Sequence, residues 1–189
     1  MFIAIPVPGA VKKEMASVAA VLAKGNPNIR PVQAEGIHLT LKFLGDTKEK
    51  RIGSIRKAME IVANAVTAPI ELICSRTGSF PELSRPKVLW AGLNGDVDAL
   101  RRLWRDLDRR VTHLGFAPEK NAFHPHLTLA RVKAPKMIGK LRKVWPDVKE
   151  TEFGRFFADE IVLYRSELRP DGAVYTVLER VPLPMPKNV

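Results

Sequence analysis

The sequence predicts a mixed α+β fold of two pseudo-symmetric lobes, each a mostly antiparallel sheet with outer helices, facing one another across a cleft. Three observations predict it. The word HLTL occurs twice, at residues 38–41 and 126–129, close to half the chain apart. At average composition a second copy arises by chance about once in a thousand such chains. Strand-like and helical patterns alternate, but some connections are hairpins, which argues against a doubly wound parallel sheet. Finally, 189 residues suit one domain or two small lobes. The expected organisation is a single bilobal domain over 1–189, with approximate halves 1–94 and 95–189 whose lobes are free to exchange strands.

Taken in order, residues 2–7 (FIAIPV) read as a buried strand ending at prolines. Helical character follows over 11–24, stopped by Gly25. Residues 37–44 form the strand with the first HLTL, closed by Gly45-Asp46. An amphipathic helix is predicted over 48–66, with Ile52, Ile55, Met59, Ile61, Val62 and Val66 near one face. Strands over 70–74 and 87–93 are separated by a loop, GSFPELSRP, rich in turn formers. In the second half, apolar positions Val97, Leu100, Trp104, Leu107, Val111 and Leu114 predict a helix over 96–114, with Gly115 as its cap. APEKNAF then leads into the second HLTL strand, and a short helix is expected over 137–144. Residues 160–164 and 174–180 read as a hairpin about SELRPDG, and the tail VPLPMPKNV has too many prolines for a central strand.

Lys and Arg outnumber Asp and Glu by 31 to 20, a net charge of +11, so polyanions or phosphorylated small molecules are the natural partners. The charge is scattered, which suits a lined groove better than a basic arm. A single cysteine, Cys74, excludes an internal disulfide and multi-cysteine zinc; lying after an apolar run, it reads as a buried structural thiol. The first ten residues are apolar but lack a basic n-region and are broken by Pro6 and Pro8, so a first strand is expected rather than a leader. No segment has the ~18 uninterrupted apolar residues of a membrane span. No membrane association, a cytoplasmic location and a monomer are the default expectations.

On a strand, residues two apart share a face. His38 and Thr40 therefore point one way and Leu39 and Leu41 the other, and His126 and Thr128 divide from Leu127 and Leu129 in the same manner. Two such fronts related by a pseudo-two-fold axis would surround one cavity with two imidazoles and two hydroxyls. That set suits in-line displacement at phosphorus: one neutral imidazole takes a proton from the attacking oxygen, and the other, protonated, supplies the leaving oxygen. The hydroxyls can donate to non-bridging oxygens, with Arg131 as the best nearby cation. Strict alternation puts Arg131 on the face opposite Thr128, so its use requires a bend.

A rival is a metal site built from His38, His124 and His126; it leaves both threonines unexplained. His113, in the last helical turn, reads as a cap. Phe80 and Phe123 could stack a base or pack in the core.

GIHLTLKFLGD at 36–46 and FHPHLTLAR at 123–131 resemble the paired HxTx motifs of the two-histidine phosphoesterases, most closely the LigT/ThpR branch, RNA 2′,3′-cyclic phosphodiesterases also called 2′-5′ RNA ligases. FIAIPVP, GSFPELSRPKVLWAGL and LYRSELRPDGAVYTVLERVPL extend the resemblance over nearly the whole chain. The resemblance implies hydrolysis of a terminal 2′,3′-cyclic phosphate on RNA, an oligonucleotide or a nucleotide to a 2′-phosphate, with no cofactor and no metal. It implies His38 as proton donor, His126 as proton acceptor, and Thr40, Thr128 and Arg131 as phosphate ligands. Lys87 stands where the family frequently carries arginine. The alternatives are ATP-independent 2′-5′ ligation by the reverse reaction and a non-catalytic RNA-binding module. No Lys-x-Asp-Gly nucleophile motif or Walker loop supports ATP-dependent chemistry.

Overall fold

The computed structural model describes residues 1–134, 139–169 and 172–186. Nine strands and four α-helices occur among them: β1 (Phe2–Pro6), α1 (Gly9–Ala23), β2 (Ile29–Pro31), β3 (His38–Phe43), α2 (Ile52–Asn64), β4 (Glu71–Phe80), β5 (Val88–Gly95), α3 (Val97–His113), β6 (His126–Val132), α4 (Gly139–Val148), β7 (Glu152–Phe157), β8 (Glu160–Arg169) and β9 (Gly172–Pro182). They form two antiparallel sheets, one ordered β3-β1-β8-β9 and the other β2-β6-β5-β4-β7. The fold class is therefore mixed α+β. Each sheet draws strands from both halves of the chain: β1 and β3 join β8 and β9, while β2 crosses to β6.

Helices cover the backs. α2 packs on β8 and β9 and carries α3 on its far side, while α1 packs against β2, β6, β7 and α4. α2 buries Ile55, Ala58, Met59, Val62 and Ala63, and α3 buries Leu100, Leu103, Leu107 and Val111. Ile61, expected on the buried face of α2, is 48% exposed. At 100° per residue it falls just outside the stripe that Ala58 and Met59 define. The predicted start of that helix, residues 49–51, is a 3-10 turn.

Several sequence boundaries move. β4 continues to Phe80 through residues expected to be loop, because β5 pairs with it all the way to Val88↔Phe80. Gly78 makes that pairing possible: a Cβ there would lie 2.1 Å from the Trp90 indole, which rests on the bare backbone. β2 and β7 are additional; β7 contains Gly154 at φ 121, an interruption that hides the strand pattern. The helix expected over 137–144 appears as α4, Gly139–Val148, with its predicted first residues outside those described. Of the described part of the proline tail, only Val181 and Pro182 belong to β9, an edge strand.

Candidate active site

The two HLTL strands have one construction. β3 shows a half-buried, buried, half-buried, buried, buried, exposed sequence over HLTLKF, and β6 repeats it over HLTLAR. Alternation should not allow two buried residues in succession. Both strands achieve it by a register shift at the same place, where Ile3↔Lys42 is followed by Ala4↔Thr40, and Leu89↔Ala130 by Trp90↔Thr128. The second leucine of each motif is thus the extra residue of a bulge, and the phase of all that follows reverses. Arg131 returns by this means to the face of His126 and Thr128, and Phe43 to the face of His38 and Thr40.

The strands lie in different sheets, yet β3 and β6 neighbour one another. Arg131 on β6 accordingly exerts a repulsive field on the His38 imidazole on β3. His38 and Thr40, like His126 and Thr128, are half-buried.

His38 sits in an aromatic cage. Its ring centroid is 4.7 Å from Phe2, 5.3 Å from Tyr175 edge-on and 6.1 Å from Tyr164. Burial first, then the charges of Lys12 and Arg131, lower its pKa to about 4. His126 has a lighter enclosure, with Phe80 edge-on at 5.0 Å and Trp90 at 6.4 Å. Its Nδ1 lies 2.7 Å from the His124 carbonyl oxygen. A carbonyl only accepts, so Nδ1 carries the hydrogen and the neutral ring presents a free lone pair at Nε2. Burial lowers this imidazole's pKa as well, partly opposed by the bond to His124.

Lys12, in the first turn of α1, is half-buried, with its pKa lowered by burial against the opposing charge of Glu35. No sequence signal marked it, since its proximity to His38 comes from packing α1 across the sheets. The aromatic cages were equally invisible, being assembled from β1, β4, β5, β8 and β9. Cys74 is buried, and desolvation raises its thiol to about 12, so it stays protonated. His113 Nδ1 is 2.7 Å from the Arg109 carbonyl oxygen at the end of α3, and Phe123 stacks on Trp104 at 5.0 Å and 6°. Both are thereby occupied in structural contacts. Among the described residues no group of three or more His, Cys, Asp or Glu side chains is arranged to hold a metal, so the three histidines of the rival site do not converge. No helix among them is long and apolar enough to cross a membrane.

Residues 8–170 match the model of a family described as the 2'-5' RNA ligase superfamily. Curated relatives named RNA 2',3'-cyclic phosphodiesterase include one from Methanocaldococcus jannaschii, 32% identical over 95% of this chain and 98% of its own. Another, from Methanothermobacter thermautotrophicus, is 31% identical over 94% and 95%. Among solved structures, a protein of Thermus thermophilus aligns with TM-score 0.79 and 31% identity over 96% of both chains. E. coli LigT complexed with 3'-AMP shares the fold at TM-score 0.75 and 24% identity, over 97% of both chains.

Proposed function

We propose that this chain, which belongs to the 2'-5' RNA ligase superfamily, hydrolyses RNA or nucleotide 2′,3′-cyclic phosphates to 2′-phosphomonoesters by metal-independent acid-base catalysis. The relatives' shared name supports the reaction class. The observation that carries the mechanism is the repeated bulged strand, each copy presenting one imidazole and one hydroxyl on its open face.

The phosphoryl group lies between the strands, its non-bridging oxygens accepting hydrogen bonds from Thr40, Thr128 and Arg131. His126 Nε2 removes a proton from water as the water oxygen forms its bond to phosphorus. The P–O3′ bond breaks in line, and His38 gives its proton to the departing 3′ oxygen. The proton bound at His126 and the one lost from His38 exchange with solvent to restore the starting state. The pinned tautomer of His126 suits it to the base role. His38 is neutral near pH 7 in the empty site, with a pKa of about 4. A bound phosphate anion offsets the Lys12 and Arg131 charges and so raises that value, loading the acid when substrate arrives.

Positioned general acids and bases each contribute about a hundred- to ten thousand-fold. His38→Ala and His126→Ala should therefore each lower turnover of a 2′,3′-cyclic nucleotide by at least about a hundredfold while the chain still folds. The assay is run in chelator with the phosphate isomer identified. Full activity in either variant rejects the mechanism, and activity that disappears in chelator and returns with zinc rejects metal independence.

A further inference from the structure

Arg131, turned onto the open face by its bulge, lies beside a second arginine. β2 pairs with β6 as Ile29 opposite Val132, Arg30 opposite Arg131 and Pro31 opposite Ala130. Directly paired residues share a face of the sheet. Burial agrees, since Ile29 and Val132 are both covered while Arg30 and Arg131 are both exposed. Lys133 is exposed as well, and its backbone N–H donates to the Asn28 carbonyl at 2.8 Å, so the pairing reaches one residue further. Lys133 therefore stands on the same face, about 6.5 Å along the strand from Arg131. Arg30 stands about 5 Å to the side of Arg131.

This arrangement costs stability. Like charges directly opposite one another repel. None of the three cations has a carboxylate partner among the described residues. A charge that only guarded the short edge strand β2 against pairing with another chain would not need to face a second arginine. An anion lying between them turns the repulsion into binding. Arg131 is assigned above to the phosphoryl group, so Arg30 and Lys133 extend the positive charge from there toward the sheet edge. β3 offers no such path: after its motif come Lys42, buried against Asp108, and the apolar Phe43.

We infer that Arg30, with Lys133 beside it, holds the internucleotide phosphate that precedes the cyclic end, and so distinguishes an RNA chain from a mononucleotide; this rests on the function proposed above. An RNA chain repeats one negative charge per nucleotide, and a row of cations on one open face is an electrostatic track for it. The contact is made to a phosphate and reads no base. Arg30 binds substrate away from the reacting atoms, so it acts on KM and not on the chemical step.

The test compares wild type, Arg30→Ala and Arg30→Lys on three substrates. They are adenosine 2′,3′-cyclic phosphate, an adenosine dinucleotide ending in the same cyclic phosphate, and that dinucleotide with an uncharged methylphosphonate linkage. Arg30→Ala should raise KM for the charged dinucleotide about tenfold, the loss of one charge-assisted hydrogen bond, with kcat nearly unchanged. It should leave the constants for the other two substrates unaltered, and Arg30→Lys should recover part of the loss. In wild type, KM for the charged dinucleotide should rise with salt more steeply than for the mononucleotide, by a logarithmic slope of about 0.7 per phosphate held. Arg30→Ala should remove much of that difference. An unchanged dinucleotide KM in Arg30→Ala leaves Arg30 an edge charge and overturns the inference. An equal loss on all three substrates assigns it to the reacting phosphoryl group or to the fold, and overturns it too. In both cases hydrolysis by wild type leaves the proposed function standing. A wild-type protein that opens none of the three brings down that reading and this inference with it.

Discussion

β3 and β6 share four residues of sequence, one burial pattern and one bulge, yet their surroundings differ at each further position. His38 is enclosed by Phe2, Tyr164 and Tyr175 and faces two cationic fields, whereas His126 is held through Nδ1 by a backbone carbonyl. After the bulge β3 continues with Lys42 and Phe43, and β6 with Ala130 and Arg131. Identical motifs thus supply identical groups, and the neighbours give them different surroundings. The scaffold repeats and the electrostatics do not.

The contrast between Lys42 and Ala130 has the largest expected effect. Lys42 is 3% exposed, and its ammonium donates to Asp108 Oδ1 at 2.5 Å and to the Ala117 carbonyl at 2.7 Å. Asp108 Oδ1 also accepts the Glu119 backbone N–H at 3.2 Å, so the cluster ties β3 to α3 and to the loop preceding the second motif. Asp108→Ala leaves a buried ammonium without its counter-charge and should lower unfolding stability by about 3 kcal/mol in a denaturant titration. A double variant, Lys42→Met with Asp108→Leu, should recover part of that loss. If Asp108→Ala melts like wild type, the asymmetry at this position has no structural weight.

Arg131 against Phe43 comes next. Loss of a charge-assisted hydrogen bond to phosphate costs about 1.5–3 kcal/mol, so Arg131→Ala should lower kcat/KM roughly ten- to a hundredfold. Arg131→Lys keeps the charge but loses the planar fork and should recover only part of it. Equal rates in Arg131→Ala and wild type would remove the cation from the mechanism.

The smallest effect concerns pH. The mechanism proposed above needs one imidazole protonated and the other neutral, giving a bell whose limits belong to the pair. Burial lowers both histidines, and His38 falls to about 4, so kcat/KM should peak on the acid side of 6.5. Lys12→Met removes one charge that depresses His38 and should move one limb of the bell upward. Stability has the corresponding sign: the unfolded chain takes up the His38 proton near 6.5 and the folded chain only near 4, so stability contributed by neutral His38 holds above 6.5 and is lost as pH falls towards 4. A profile centred above 6.5, unmoved by Lys12→Met, would contradict this electrostatic account.

The chain's own order of residues determined that each HLTL strand has an imidazole-hydroxyl front and a leucine back, because pleating sends alternate side chains to opposite faces whatever the partner. It also determined the helical stripes of α2 and α3 and the mixed class, through periodicity and hairpin spacing. Only the tertiary structure decided where alternation stops. A bulge is a mismatch between two paired strands and has no meaning in one strand alone, so the return of Arg131 and Phe43 to the open face depended on β5 and β1. The aromatic cages and the approach of Lys12 were likewise settled by packing, since they join residues that share no local pattern and meet only when both sheets assemble.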